Sequence, residues 1–126
     1  MFSSLFSKKE EKQSEWNYLV DVTTLDQIDQ LSQQEPVLLF KHSTRCSISS
    51  MVLNKLESSF SGGGDFQKYF LDLIAHRDIS NEIATRYGVV HQSPQALLVF
   101  KGEIVYEASH TGISYQEILS TANEAG

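Results

Sequence analysis

The sequence predicts an α/β fold in which a mixed sheet is flanked by helices. Apolar strand-like runs alternate with helical patterns along most of the chain, which indicates parallel strand pairs. Two runs near the C-terminus are joined only by Lys101 and Gly102, which indicates an antiparallel hairpin. Residues 37–40 are apolar without interruption, as is typical of a strand covered on both faces.

The first strand and helix are predicted before residue 36. In residues 16–22 the apolar side chains Tyr18, Val20 and Val22 recur at every second position, which favours a short strand. Thr24 followed by Gln27 has the spacing of a capping box, so we expect Thr24 to be the N-cap of a helix. Pro36 closes that helix and begins the apolar strand at residues 37–40.

A second helix is predicted over residues 48–60, after a polar loop. Its apolar positions recur every four residues and predict a buried stripe made of Ile48, Val52, Leu56 and Phe60. The glycine-rich residues 61–65 end it. Residues 69–73 then form the next predicted strand.

The C-terminal third is predicted as helix, hairpin and helix. Asp78 is the expected N-cap of the third helix and Gly88 its expected stop. Residues 95–100 and 103–108 form the hairpin, and a last helix follows Ser114. The complete order is β-α-β-α-β-α-β-β-α.

Length, charge and cysteine content limit the class of protein. The 126 residues predict one domain over residues 16–126, preceded by a mobile tail over residues 1–15. The net charge of −6 argues against nucleic acid or an anionic membrane as partner. A single cysteine excludes an internal disulfide, and no apolar run approaches the roughly 20 residues of a membrane span. We therefore expect a cytoplasmic protein.

Cys46 is the most informative residue, because it lies between the strand at residues 37–40 and the helix at residues 48–60. A helix N-terminus favours the thiolate, which is the nucleophilic form of cysteine. Ser49 stands three residues on, where a dithiol motif would have its second cysteine. The pattern predicts chemistry by one thiol.

The four histidines suggest neither a metal site nor a clear catalytic pair. No two of them have the i, i+4 spacing of metal ligands, so we expect no metal. A Cys–His pair for acyl transfer, made by Cys46 with His91 or His110, stays open, although the sequence contains no recognisable oxyanion element.

The order of these features resembles the thioredoxin fold over about residues 16–124. The segment from Tyr87-Gly88 through Ser93-Pro94 to Lys101-Gly102 is similar to the thioredoxin segment in which a cis proline faces the cysteine. Residues 41–49, with the string Thr-Arg-Cys-Ser-Ile-Ser, resemble more closely the monothiol bacilliredoxins of the YtxJ-like family. The chain departs from ordinary thioredoxins at Arg45, where they carry an aromatic residue, and near Phe40, where they carry a buried acid.

This resemblance implies a monothiol thiol–disulfide oxidoreductase that removes bacillithiol from protein mixed disulfides through Cys46, as part of redox homeostasis under oxidative stress. It implies no bound cofactor, bacillithiol as co-substrate, and S-bacillithiolated client proteins and a small thiol as partners. The residues expected to stabilise the thiolate or bind substrate are Thr44, Arg45, Ser47, Ser49, Ser93, Pro94 and Gly112. The alternative is a non-catalytic binding or redox-sensing module of the same fold, in which Cys46 is S-thiolated under oxidative stress.

Overall fold

The computed structural model describes residues 15–60 and 66–125. Within these ranges the strands are β1 (Trp16–Tyr18), β2 (Val37–His42), β3 (Gln67–Asp72), β4 (Gln95–Phe100) and β5 (Glu103–Ser109). The helices are α1 (Thr23–Ser32), α2 (Ser47–Ser58), α3 (Arg77–Tyr87) and α4 (Tyr115–Ala125), and a 3₁₀ helix (His110–Gly112) precedes α4. The predicted order of elements is confirmed, and the 3₁₀ helix was not predicted.

The strands form one mixed sheet in the order β1-β3-β2-β4-β5. β1 and β2 pair with β3 in parallel, whereas β4 is antiparallel to both β2 and β5. β2 is therefore central, which explains its unbroken apolar sequence. The predicted sheet of mixed direction, flanked by helices, is confirmed.

Each face of the sheet carries its own hydrophobic core, because alternate residues of a strand point to opposite faces. Leu38 and Phe40 of β2 pack in one core with residues of α2 and α4. Val37 and Leu39 pack in the other core with residues of α1 and α3. β2 is buried over its whole length and continues two residues beyond the predicted strand, to Lys41 and His42.

The predicted buried stripe of α2 is only half right. Val52 and Leu56 are buried, but the side chain of Ile48 is 43% exposed and Ser49 is fully buried instead. A strict four-residue repeat drifts around a helix by about 40° per step, because each residue turns about 100°. Ser49 therefore lies within about 20° of Leu56, whereas Ile48 lies about 80° away.

Two predicted N-caps are wrong. α1 begins at Thr23, one residue before the predicted cap Thr24. Asp21 takes over the polar contact there: its Oδ1 accepts the Thr23 backbone N–H at 2.9 Å and the Thr23 hydroxyl at 3.0 Å. α3 begins at Arg77, so Asp78 lies in the first turn rather than at the cap.

Positive backbone φ angles occur at the predicted end of α3 and in the predicted turn between β4 and β5. Gly88 at the end of α3 has a φ of 67° in the left-handed region, as predicted for a helix stop. Lys101 and Gly102 between β4 and β5 have φ angles of 54° and 76°. Two consecutive left-handed residues are characteristic of the tight turns that join twisted antiparallel strands.

Two predictions fall mainly outside the described residues. The tail predicted over residues 1–15 is described only at Glu15, which lies 3.3 Å from Lys68 Nζ in an ion pair. The glycine-rich break at residues 61–65 is not described. The strand predicted over residues 16–22 is shorter than expected and ends at Tyr18. None of the helices in the described ranges has the length and apolar character needed to cross a membrane.

Candidate functional site

Cys46 is the N-cap residue of α2. Its backbone is extended, with φ −114° and ψ 118°, and its side chain is partly exposed. The first helical hydrogen bond runs from the Ser50 N–H to the Cys46 carbonyl at 3.2 Å. The N–H groups of residues 47–49 come before that bond, so they lack helical acceptors and leave a positive dipole end beside the sulfur. This is the setting that the sequence predicted for the thiol.

The loop that carries Cys46 is a tight turn with exposed polar side chains on both sides of the cysteine. The Cys46 N–H donates to the Ser43 carbonyl at 3.2 Å, which closes the turn between β2 and α2. Thr44, Arg45 and Ser47 are exposed around the sulfur. Three of the residues predicted to stabilise a thiolate or bind substrate thus surround it and are free to meet a ligand from solvent.

Ser49 behaves differently from these neighbours, because it is fully buried. Its Oγ lies 2.8 Å from His42 Nδ1 and accepts the Ser43 backbone N–H at 3.1 Å. The hydroxyl that takes the place of a second thiol therefore contacts the end of β2 and the start of the loop. His42 was considered from the sequence only as a metal ligand, and this contact was missed.

His42 is held in an aromatic environment at the end of β2. Its ring stacks on Phe40 with centroids 6.4 Å apart and lies 5.4 Å from the ring of Phe70. Burial lowers the pKa of His42, although the charges of Asp72 and Glu57 act in the opposite direction. The imidazole is accordingly neutral at neutral pH.

The predicted proline loop lies at the same edge of the sheet as Cys46. Lys41 near the end of β2 pairs with Gln95 at the start of the antiparallel strand β4, so the residues before β4 adjoin the Cys46 loop. The Ser93–Pro94 peptide bond is cis, and Pro94 is buried. The Pro94 carbonyl accepts the His110 N–H at 2.9 Å, which connects this loop to the 3₁₀ helix.

Ser93 and Gly112 complete the set of predicted site residues. Ser93 Oγ is buried and has no hydrogen-bond partner among the described residues, so it retains capacity to bind a ligand. Gly112 is exposed in the 3₁₀ helix, and a Cβ added there would meet nothing within 4 Å. The 3₁₀ helix contacts α2, so Gly112 lies on an element next to the one that carries Cys46.

A groove runs between α2 and the segment that leads into α4. Its volume is about 430 Å³. One wall is formed by α2, including Met51 and Lys55, and the other by residues from Thr111 to Gln116. On the α2 side the groove is lined by residues from Met51 to Ser59, beyond the first turn of the helix, and it offers an apolar side chain and a cation to a ligand.

A polar cluster on the opposite face of the sheet was not predicted; it joins buried Lys41 and Ser80 to the exposed His91. Lys41 is fully buried, and its Nζ lies 3.2 Å from His91 Nδ1. His91 Nδ1 also lies 3.2 Å from Ser80 Oγ. Burial lowers the pKa of Lys41 to about 8, against an opposing effect of Glu107. The imidazole of His91, one of the two candidates for a Cys–His pair, is thus engaged with Lys41 and Ser80.

Within residues 15–60 and 66–125, no three His, Cys, Asp or Glu side chains form a group that could hold a metal ion. What the described residues do assemble is one thiol at a helix N-terminus, with a buried serine one turn later and a proline loop beside it. This combination defines a thioredoxin-fold protein with a single cysteine at the start of a helix.

The family comparison gives the more particular class. Residues 17–118 match the family described as monothiol bacilliredoxin BrxC, and the chain belongs to that family. Membership in a family of thiol oxidoreductases assigns the protein a thiol redox role.

Solved structures show the same fold. The chain is similar to a thioredoxin-fold protein described as a candidate oxidoreductase, with 27% identity and a TM-score of 0.75 over 87% of this chain and 96% of the other. It is also similar in fold to mitochondrial thioredoxin 3 of Saccharomyces cerevisiae, with 16% identity and a TM-score of 0.64 over 90% and 98% of the two chains. Spinach chloroplast thioredoxin f has 17% identity and a TM-score of 0.65 over 93% of each chain.

Proposed function

We propose that the protein removes bacillithiol from S-bacillithiolated client proteins by thiol–disulfide exchange at Cys46. The observation that carries this proposal is the position of the chain's only cysteine, partly exposed at the N-cap of α2 with a serine at the third helical position. Membership in the monothiol bacilliredoxin family supports bacillithiol as the small thiol.

The exchange takes place in two successive thiol–disulfide exchange steps. The Cys46 thiolate attacks the bacillithiol sulfur of the mixed disulfide, the S–S bond to the client breaks, and the client sulfur leaves with the electron pair and takes up a proton. Cys46 then carries bacillithiol in a disulfide. A second, external thiolate attacks the bacillithiol sulfur, and Cys46 leaves as thiolate.

An external thiol is required because Ser49 cannot form a disulfide. A dithiol protein releases itself from a mixed disulfide by closing its own ring, whereas a single cysteine has no internal route. The co-reductant is a low-molecular-weight thiol, with bacillithiol itself as co-substrate and no bound cofactor. Mixed disulfides with small thiols are therefore better substrates than disulfides between two proteins.

The exposed residues around Cys46 suit the polar part of bacillithiol. Arg45 is exposed beside the sulfur and offers a planar, bidentate donor to the carboxylates of the malyl group. Thr44 and Ser47 offer hydroxyls to the same ligand, and Ser93 offers its backbone to the client chain. Gly112 leaves open space for either. The proposed place of action is the cytoplasm, where thiols stay reduced.

The test is intact mass spectrometry of the full-length protein mixed with a bacillithiolated client. Glutathionylated and cysteinylated forms of the same client run in parallel, and Cys46→Ala is the inactive control. We expect a bacillithiol adduct on Cys46 as the client loses its own, faster than with the other two thiols. Transfer that survives Cys46→Ala would refute the proposal, and absence of transfer from every client would favour the redox-sensing or binding module.

A further inference from the structure

Hydrogen bonds close the base of the loop that carries Cys46. The Ser49 hydroxyl contacts His42 Nδ1 at 2.8 Å and accepts the Ser43 N–H at 3.1 Å. These three residues belong to the end of β2, the start of the loop and the first turn of α2. Residues 44–48, which include Cys46, therefore lie between two positions, Ser43 and Ser49, that a hydrogen bond to one buried hydroxyl joins.

We propose that His42 is a positioning residue for Cys46: through Ser49 it fixes the loop so that the N–H groups at the start of α2 stay directed at the sulfur. The inference deepens the proposed function and rests on it, since the Cys46 thiolate is taken as the reacting group. It assigns Ser49 a role different from direct donation to the thiolate.

The hydrogen-bonding capacity of a hydroxyl supports this role. Ser49 Oγ has one proton and two lone pairs, and the Ser43 N–H occupies one lone pair. The neutral imidazole of His42 either accepts the Ser49 proton or donates to the second lone pair, according to its tautomer. In both cases the oxygen lies between two fixed partners, and its position does not depend on the tautomer.

The partners themselves have little freedom to move. The His42 side chain is 94% buried and packed against the rings of Phe40 and Phe70, and this packing fixes the position of its Nδ1. Ser43 donates from the backbone at the end of the central strand. The charged groups whose fields act on His42 are Asp72 of β3 and Glu57 of α2, the helix of which Cys46 is the N-cap.

The experiment measures the rate of Cys46 alkylation by iodoacetamide against pH, in full-length reduced protein. Because the chain has one cysteine, intact mass reports only this residue. The thiolate is the form that reacts, so the midpoint of the profile reports how well the loop stabilises it. The variants are His42→Phe, Ser49→Ala, their combination, and His42→Asn as a conservative rescue. Ser50→Ala, exposed on the same turn, is the matched control.

We expect His42→Phe and Ser49→Ala each to raise the midpoint by about half a pH unit or more, which is about a threefold loss of thiolate below it. The combination should go no further than the larger single effect, since both variants remove the same contact. His42→Asn should restore most of the wild-type profile, and Ser50→Ala should match it.

Two results would overturn the inference. If Ser49→Ala raises the midpoint while His42→Phe leaves it unchanged or lowers it, Ser49 donates directly to the sulfur. If neither variant moves it, the contact does not act on Cys46. Should His42→Phe not fold, His42→Gln, whose longer side chain displaces its amide from the Nδ1 position, takes its place with the same expected rise. Alkylation involves no bacillithiol, so this outcome is independent of the transfer experiment.

Discussion

Lys41 shows how one residue can make the stability of the protein depend on pH. Its amine is fully buried, and its folded-state pKa is lowered to about 8 from the ordinary 10.5. Below about pH 8 both folded and unfolded chains carry the charge, so folding bears the whole cost of burying it. As pH rises from about 8 to about 10.5 the folded state loses its proton first, and this cost disappears.

The prediction is that the Lys41→Met variant loses this pH dependence. In the wild type the free energy of unfolding should rise by about 3 kcal/mol through Lys41 as the pH increases from about 8 to about 10.5. Denaturant unfolding of both proteins across this range isolates it, because other titrating groups cancel in the difference. A difference between the two proteins that stays constant with pH would mean that Lys41 has an ordinary pKa in the folded state.

A second prediction at the residue scale concerns the position of the missing thiol. Ser49→Cys restores the two-residue spacing of a dithiol motif at the N-terminus of α2, and we expect it to gain measurable reduction of protein disulfides without added small thiol. It should also lower stability by about 1–3 kcal/mol, because the buried His42 and Ser43 groups lose an oxygen partner.

Ser50→Cys is the matched control for this gain, since it adds a thiol one residue further, on the exposed side of the same turn. Turnover of a protein disulfide with limiting reductant measures both variants. Equal turnover by the two would show that proximity alone, rather than the geometry at residue 49, accounts for the gain.

At the scale of elements, the residue that stabilises the start of α1 differs from the one that the capping pattern predicts. The sequence pairs Thr24 with Gln27, but the structure uses Asp21, which lies before the helix and bonds Thr23 twice. Asp21→Ala should therefore lower the melting temperature by a few degrees, whereas Thr24→Ala should change it little. These hydrogen bonds lower the pKa of Asp21, so the effect should fade as pH falls through that pKa.

Helix and strand types were predictable because their signals are local, and the polar network was not. The unbroken apolar run, the four-residue spacing and the glycine stop identified β2, α2 and the end of α3. The contact of His42 with Ser49 and that of Lys41 with His91 depend on which face of the sheet a residue takes. The apolar run at residues 37–40 does not reveal that β2 stays buried for two more, polar residues. A strand extended to residue 42 would have placed Lys41 and His42 on opposite faces of the sheet, but it would not have identified His91 and Ser49 as their partners.

At the scale of the molecule, the two cores and the site are spatially separate parts of one sheet. The cores cover the middle of β2 and β4 on both faces, whereas Cys46, Pro94 and the 3₁₀ helix follow or precede the strands at one edge. A protein that forms and resolves an adduct at this edge has no need to disturb its core. Its opening motions should therefore divide into local ones at the edge and global ones in the strands.

Hydrogen exchange measured before and after a disulfide adduct forms on Cys46 tests that division. We expect the amides of β2 and β4 to exchange most slowly, at rates set by global unfolding. These rates should be unchanged when the adduct is present. Amides of the Cys46 loop, the residues before β4 and the 3₁₀ helix should change severalfold, because these segments surround the sulfur. The Cys46→Ala protein under the same thiolating conditions is the control. An adduct that alters exchange in β2 as strongly as in the loop would show that the redox state of Cys46 is coupled to the core, which is the behaviour a sensor needs and an exchange catalyst does not.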